Sequence, residues 1–521
     1  MHVTRRTAIL TTAAAASLSP GLRASADAAT RPAETTSGTW RGATNGSGIH
    51  VFKGVRYGED TSLTRFAKPR AAARRTGVQD ATAYGFSCPQ QADELSTSED
   101  CLFLNVWTPG LADGGRRPIM VYIHGGAYSN GSGSSELYDG TNLSVKGDVV
   151  VITINHRLNA FGYLYLDRLF PGEFPDSGNS GQWDLILALN WVKQNAEAFG
   201  GDPNRVMVFG QSGGGAKIAT MMASPAARGL FHSAATMSGQ QVTASGPLNG
   251  TARAAAYLEA LGLPRTPEAL RNAPVERMVE ALDTRDPVNP AHGVYFGPIL
   301  DERMLFRHPF WPTAPTQSAD IPVILGNTAD ETKAFLWNAE ALALTWDTLP
   351  AYLAVQMRCD IHPEMVIRKY REWFPELSPT EIMFKATTAG RSWRGQVEEA
   401  DARARQGAPT WVYQFELPGA EIDRGAPHTI DIEHAFDNLK QTGAISGTGP
   451  TAMRVADQLS TAFIQLAHSG DPNHAGLPRW ERHTLTHRET MVFDANTRLE
   501  NDPRRREREL FSKVPFIQWG T

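Results

Sequence analysis

Short, nearly continuous apolar runs alternate along the chain with longer stretches in which apolar residues recur at helical spacing. The runs lie at 118–124 (PIMVYIH), 149–154 (VVVITI), 205–209 (RVMVF), 233–237 (SAATM), 321–326 (IPVILG) and 411–417 (WVYQFEL). A strand with one face in water alternates apolar and polar residues. These runs do not, which predicts strands covered on both faces. Residues 182–199 (QWDLILALNWVKQNAEAF) carry apolar side chains at helical spacing and predict a helix. Such alternation predicts an α/β fold with a mainly parallel sheet flanked by helices. From about 245 to 400 the pattern is more helical and poorer in strands. That stretch is expected to form a lid-like insertion over the carboxyl ends of the strands, the edge at which open α/β sheets bind ligands. No internal repeat or low-complexity linker divides residues 36–521, so 27–521 is expected to be one domain.

Composition narrows the function classes. With 41% hydrophobic and 20% charged residues among 521, the chain can bury a large core and is unlike a disordered or collagenous sequence. Fifty basic against 55 acidic side chains leave a net charge of −5, too mild for a nucleic-acid or anionic-membrane binder. Three cysteines exclude a disulfide-built scaffold. No Cys or His pairs stand at metal-finger spacing, so no metal site is expected. No apolar run of about 18 residues follows residue 30, so no membrane span is expected in the mature chain. The N-terminus is another matter. Thr4, Arg5 and Arg6 precede an Ala-rich apolar stretch at 8–18, and Ala24, Ser25 and Ala26 offer a small-residue cleavage site. Residues 1–26 therefore read as a twin-arginine export signal, which sends the mature chain to the periplasm or out of the cell.

The chemistry concentrates at two glycine-rich turns. RVMVF runs into Gly210, Gln211, Ser212, Gly213, Gly214, Gly215, Ala216 and Lys217, a G-x-S-x-G between a predicted strand and a predicted helix. A turn that sharp leaves no room for side chains two residues either side of the serine. It lifts the hydroxyl out of the sheet to a helix N-terminus, where N–H groups and the helix dipole favour an anion. Ser212 is the candidate nucleophile. Upstream, PIMVYI ends in His124, Gly125, Gly126, Ala127 and Tyr128, an H-G-G turn of the kind that aims backbone N–H groups at one point. The N–H groups of Gly126, Ala127 and Gly213 are the candidate oxyanion donors, each worth about 10²–10³ in rate in such sites.

Other segments carry a family likeness. They are Phe52, Lys53, Gly54, Val55, Arg56 and Tyr57; Glu99, Asp100, Cys101, Leu102, Phe103, Leu104 and Asn105; Asn155, His156 and Arg157; and Ser469, Gly470, Asp471 and Pro472. With the two turns, they make the chain resemble the type-B carboxylesterase family of the α/β-hydrolase fold over roughly residues 36–500. Two departures stand out. The proline-rich stretch expected after Tyr57 is absent, and the family's G-E-S-A-G elbow has Gln211 and Gly213 here.

The resemblance implies the remaining site residues. Asn327, Thr328, Ala329, Asp330 and Glu331 resemble the family's N-x-x-D-E-G, in which the glutamate is the triad acid. That makes Glu331 the acid, with Asp330 the local competitor. His428, Asp431, Ile432, His434 and Phe436 align with H-x-x-E-[IL]-x-[FY]-x-F, making His428 the base and leaving His434 to packing. The order Ser, acid, His is that of the fold. Ser238 resembles a serine that supports the acid–base pair. Arg157 with Asp184, and Arg65 with Glu99, resemble structural ion pairs. Cys88 and Cys101 sit where the family often has a disulfide, leaving Cys359 as a buried thiol.

The reaction so implied is hydrolysis of a small neutral or aryl ester through an acyl-enzyme, with water as second substrate and no cofactor. A lipase, lactonase or amidase would use the same triad. A non-catalytic binding protein of this fold would lack part of it, whereas all three members are present.

Overall fold

The computed structural model describes residues 28–91, 96–290, 292–518 and 520. The expected export signal at 1–26 lies outside them. Among the described residues twelve strands form the main sheet. In chain order they are β1 (Ala28–Ala29), β2 (Ala43–Thr44), β3 (His50–Arg56), β4 (Phe103–Thr108), β5 (Arg117–Ile123), β6 (Val150–Ile154), β7 (Gly201–Gln211), β8 (Ser233–Met237), β9 (Val323–Thr328), β10 (Thr410–Phe415), β11 (Glu489–Phe493) and β12 (Arg498–Asn501). Across the sheet they run β1-β2-β3-β4-β6-β5-β7-β8-β9-β10-β11-β12. The seven strands from β6 to β11 are parallel. Antiparallel strands extend both edges.

Every residue of β6, β8, β9, β10 and β11 is buried, as strands covered on both faces require. Side chains alternate between two cores. Ile119, Val121, Ile123, Val206 and Val208 point to the face covered by α1 (Ser180–Asn195), through Leu185 and Leu189. Met120, Tyr122, Met207 and Phe209 point to the other face, covered by Val455, Leu459 and Phe463 of the helix Pro450–Ser469. A third apolar cluster gathers Leu353, Tyr370, Ile382 and Phe384 within the largely helical stretch before β10, and Phe511 joins it from the C-terminal region.

The strand order locates the site. From β5 the chain moves to one side, to β6. It then crosses back to β7 on the other side of β5 and continues outward to β8. Connections leave β5 and β7 in opposite directions, the arrangement at which open α/β sheets bind ligands beyond the carboxyl ends of their strands. The two glycine-rich turns follow β5 and β7.

Candidate active site

Ser212 stands where β7 turns into α2 (Gly213–Ala223). Gly210 pairs with Ile123 of β5 and Gln211 with Met237 of β8, so the elbow is held from both sides. One residue later Ser212 adopts φ 54° and ψ −124°. Such backbone costs of order 1–3 kcal/mol and persists only where its surroundings impose it. Here the Ser212 N–H donates to the Met237 carbonyl at 2.7 Å. Glycine is required two residues on: a Cβ on Gly214 would lie 1.9 Å from the Ile123 carbonyl oxygen. The serine is partly exposed, at the start of a helix whose first N–H groups lack intrahelical partners.

The turn after β5 packs against this elbow. Gly126 and Ala127 both have left-handed backbone, φ 82° and 53°. Both are exposed, and neither N–H donates to another group among the described residues. Gly213 also has a contact reason for its identity, since a Cβ there would lie 2.0 Å from the Ala127 carbonyl oxygen. The departure from alanine at 213 thus makes room for the turn that carries the candidate oxyanion donors.

Glu331, three residues beyond β9, is fully buried, and His428 is 7% exposed. His428 Nδ1 is hydrogen-bonded to Glu331 Oε2. The other carboxylate oxygen, Oε1, accepts from Ser238 Oγ at 2.5 Å, Asn327 Nδ2 at 3.0 Å and the Thr328 N–H at 2.8 Å. Burial alone would raise the Glu331 carboxyl. The His428 imidazole, the Ser238 hydroxyl and the Thr328 N–H outweigh it and hold the group below its ordinary value. Ser238 is thereby in contact with Glu331, as expected. Asp330 and His434 make other contacts. Asp330 pairs with Lys333 at 3.2 Å and accepts from the Ala426 N–H at 3.0 Å, which pins the loop carrying His428. His434 is fully buried, bonded to Ser446 Oγ at 2.8 Å and packed on Phe415, and burial lowers it to about 3.

The remaining contact of the imidazole differs from a simple triad. His428 Nε2 lies 2.9 Å from Gln211 Nε2. With the Nδ1 proton on the glutamate side, Nε2 accepts from the Gln211 amide. No hydrogen bond joins Ser212 Oγ to His428 among the described residues. Phe335, half exposed, packs on the imidazole with ring centroids 4.8 Å apart.

The expected ion pairs are present and buried: Arg157 Nη2 to Asp184 Oδ1 at 2.6 Å, and Arg65 Nε to Glu99 Oε1 at 2.7 Å. The expected disulfide is not formed. Cys88 and Cys101 are buried free thiols. Hydrogen bonding to Cys88 and burial push the Cys101 thiol well above its ordinary value, and the Leu158 N–H donates to Cys88 Sγ at 3.2 Å. Cys359 is partly buried, which pushes its thiol up to about 11. Among the described residues no group of three or more His, Cys, Asp or Glu could hold a metal ion, and no helix is long and apolar enough to cross a membrane.

The family model for the carboxylesterase family matches residues 30–511. The chain belongs to the carboxylesterase family. It is 32% identical to the para-nitrobenzyl esterase of Bacillus subtilis over 490 residues, which are 91% of this chain and 97% of that protein. It is 35% identical to the phenmedipham hydrolase of Pseudarthrobacter oxydans over 479 residues, 87% of this chain and 92% of that one. Among solved structures, the Geobacillus stearothermophilus carboxylesterase superposes with a TM-score of 0.83 at 35% identity, covering 92% of this chain and 99% of its own. The carboxylesterase thus has the α/β-hydrolase fold that its motifs suggested.

Two residues at the site were not assigned by the sequence. In the sequence Gln211 is only a departure from glutamate, and its bond to His428 depends on a rotamer no motif encodes. Lys217 is a fully buried cation on the nucleophile helix. Its signal was a lone charge in GGGAKIATMMA, a segment otherwise small and apolar but for one threonine.

Proposed function

We propose that this carboxylesterase hydrolyses small neutral or aryl esters through Ser212, His428 and Glu331. The observation that carries the reading is that a strained serine on a helix N-terminus follows directly on Gln211, which touches an imidazole whose Nδ1 is bound to a buried carboxylate. In the first half-reaction Ser212 Oγ attacks the ester carbonyl carbon and its proton passes to His428 Nε2, once that nitrogen has exchanged its Gln211 contact for the serine. Glu331 keeps the ring in the Nδ1–H form and stabilises the imidazolium. The carbonyl oxygen becomes an oxyanion, bound by the N–H groups of Gly126, Ala127 and Gly213. Collapse breaks the bond to the alkoxy oxygen, which leaves as the alcohol with the proton from His428. Water then attacks the acyl-Ser212 with His428 again as base, releasing the acid and restoring the serine.

Several features support the substrate class. The relatives are named for hydrolysis of a para-nitrobenzyl ester and of phenmedipham. Phe335 offers an exposed ring beside His428. The loop between Cys88 and Cys101 carries no aromatic residue and Gln211 carries no charge, so neither cation–π attraction of about 0.5–2 kcal/mol nor a carboxylate draws a quaternary ammonium there. A kcat/KM for acetylthiocholine equal to that for p-nitrophenyl butyrate would contradict this preference.

A fluorophosphonate probe is expected to label Ser212. Ser212→Ala should abolish labelling and lower ester turnover by about 10⁴ or more. Undiminished turnover in that variant would overturn the assignment. We further propose export of the chain through residues 1–26. The mass of the secreted protein tests this, with an N-terminus near Asp27 expected and a full-length cytoplasmic product as the opposing result.

A further inference from the structure

The helix behind the nucleophile carries a buried charge that the reaction as derived does not use. Lys217 lies in α2, fully buried, five residues after Ser212. Its ammonium donates to the Ala127 carbonyl at 2.8 Å and to the His124 carbonyl at 3.3 Å. It also lies 5.4 Å from the centre of the Tyr128 ring. No carboxylate pairs with it among the described residues. A buried ammonium without a counter-ion is costly, and a methionine of similar length would avoid that cost. Its two acceptors are specific: they are the carbonyls on either side of the Gly125–Gly126 turn, and they flank the two peptide units that carry the Gly126 and Ala127 N–H groups. Those units sit in consecutive left-handed residues, a conformation that an alanine holds only when its neighbours enforce it.

We propose that Lys217 is a positioning residue of the oxyanion hole: its ammonium clamps the carbonyls of His124 and Ala127, and so fixes the direction in which the Gly126 and Ala127 N–H groups point. The clamp also brings a positive charge beneath the turn where negative charge develops in the transition state. This rests on the reading of that turn as the oxyanion hole of a Ser212 esterase.

The surroundings make the clamp sensitive to pH. Burial lowers the ammonium to about 7. The other titratable groups facing it are His124, His156 and Tyr128. Burial first, and Lys217 second, pushes both imidazoles down, His124 to about 3, and the two rings stack 4.8 Å apart. Burial pushes the Tyr128 phenol well above its ordinary value. None of the three changes charge between about pH 5 and 9, so Lys217 is the group of this cluster that does. Beyond Tyr128, whose hydroxyl donates to Gln241 at 2.9 Å, Glu399 accepts from the Gln241 N–H at 2.7 Å, and burial raises its carboxyl to about 8. Glu399→Gln therefore serves as the control for a second group titrating nearby.

The test measures kcat and KM for p-nitrophenyl butyrate from about pH 5 to pH 9 in the wild type, Lys217→Gln, Lys217→Met, Glu399→Gln and Ser212→Ala, with thermal melts to verify folding. The lysine variants are expected to lose about 10- to 100-fold in kcat with KM within about threefold, because oxyanion donors act in the transition state rather than on bound ester. The wild-type kcat should fall as pH rises through the titration of the ammonium. That decline should survive in Glu399→Gln and vanish in Lys217→Gln. Folded lysine variants with wild-type kcat would overturn the proposal. If neither variant folds, a wild-type kcat with no decline on the alkaline side of its maximum overturns it, and a decline that persists in Glu399→Gln upholds it. Active Ser212→Ala would instead defeat the triad reading, so the two failures are distinguishable.

Discussion

The two ring nitrogens of His428 meet two differently prepared regions. On the Nδ1 side, the segment after β9 is finished: Glu331 is buried, bound to the imidazole, and held by Ser238, Asn327 and Thr328. On the Nε2 side, the elbow after β7 presents a strained serine, yet the imidazole is bonded to the amide of the preceding residue, Gln211. In the proposed reaction one side is assembled before substrate arrives, whereas the other exchanges a partner to begin it. The acid must be preorganised because its charge is buried and would be costly unbound. The nucleophile need only be within reach, and hydrogen bonds at such sites often tighten when substrate binds.

The largest effect should come from removing the group that joins the two regions. His428→Ala is expected to lower kcat by about 10⁴ or more, nearly as much as loss of the serine, because the triad acts as a unit. His434→Ala, six residues away in sequence, removes a buried ring bonded to Ser446 and is expected to cost about 1–3 kcal/mol of stability while leaving kcat within a few-fold. Urea melts and steady-state rates on both variants separate these roles. A folded but inactive His434→Ala beside an active His428→Ala would exchange the two assignments.

A smaller effect probes how completely the acid side is built. Ser238→Ala removes one of three donors to Glu331 Oε1 and leaves Asn327 and Thr328 in place. Hydrogen bonds to charged groups are worth about 1.5–3 kcal/mol, and with two donors remaining kcat is expected to fall by about tenfold. The carboxyl, held low in the native state, contributes stability that is present above its unfolded value and is lost as pH falls through its folded value. Without Ser238 the folded value rises, so acid unfolding should begin at higher pH. An unchanged acid midpoint together with unchanged kcat would show that the serine bond carries nothing.

The division between what was legible in the sequence and what was not follows the same line. The parallel strands announced themselves because both faces are covered, which forces runs such as VVVITI and IPVILG. Ser212 was legible because its backbone excludes side chains at Gly210 and Gly214, so geometry writes glycine into the sequence. Glu331 and His428 needed the family resemblance as well as chain order, since Asp330 and His434 stand close by with the same chemistry. The antiparallel edge was faint, because β3 buries only Phe52 and Val55 among its seven residues. The contact of Gln211 with His428, the clamp made by Lys217 and the thiol state of Cys88 and Cys101 left no periodic trace. The first two depend on one side chain meeting a partner far away in sequence: 217 residues for Gln211 and His428, 90 for Lys217 and Ala127.

The subtlest way to test the comparison is to charge the resting partner of Nε2. Gln211 is 2% exposed and its amide nitrogen sits 2.9 Å from the ring. Gln211→Glu would put a carboxylate there. An opposite charge at that distance favours the protonated imidazole and commonly shifts such a group by about 1–3 pH units. The base would then be occupied by a proton at higher pH, so the acid limb of kcat/KM should move upward by about one unit, while the rate well above that limb changes by less than about tenfold. Gln211→Met, similar in length but without a donor, should leave the limb in place and release Nε2 to the serine, raising the rate of fluorophosphonate labelling at neutral pH by a few-fold. Profiles of kcat/KM against pH and single-turnover labelling rates decide the matter. If the glutamate leaves the limb unmoved and the methionine slows labelling, then Gln211 does not compete with Ser212 for the base, and the elbow side of His428 is as fully assembled as the acid side.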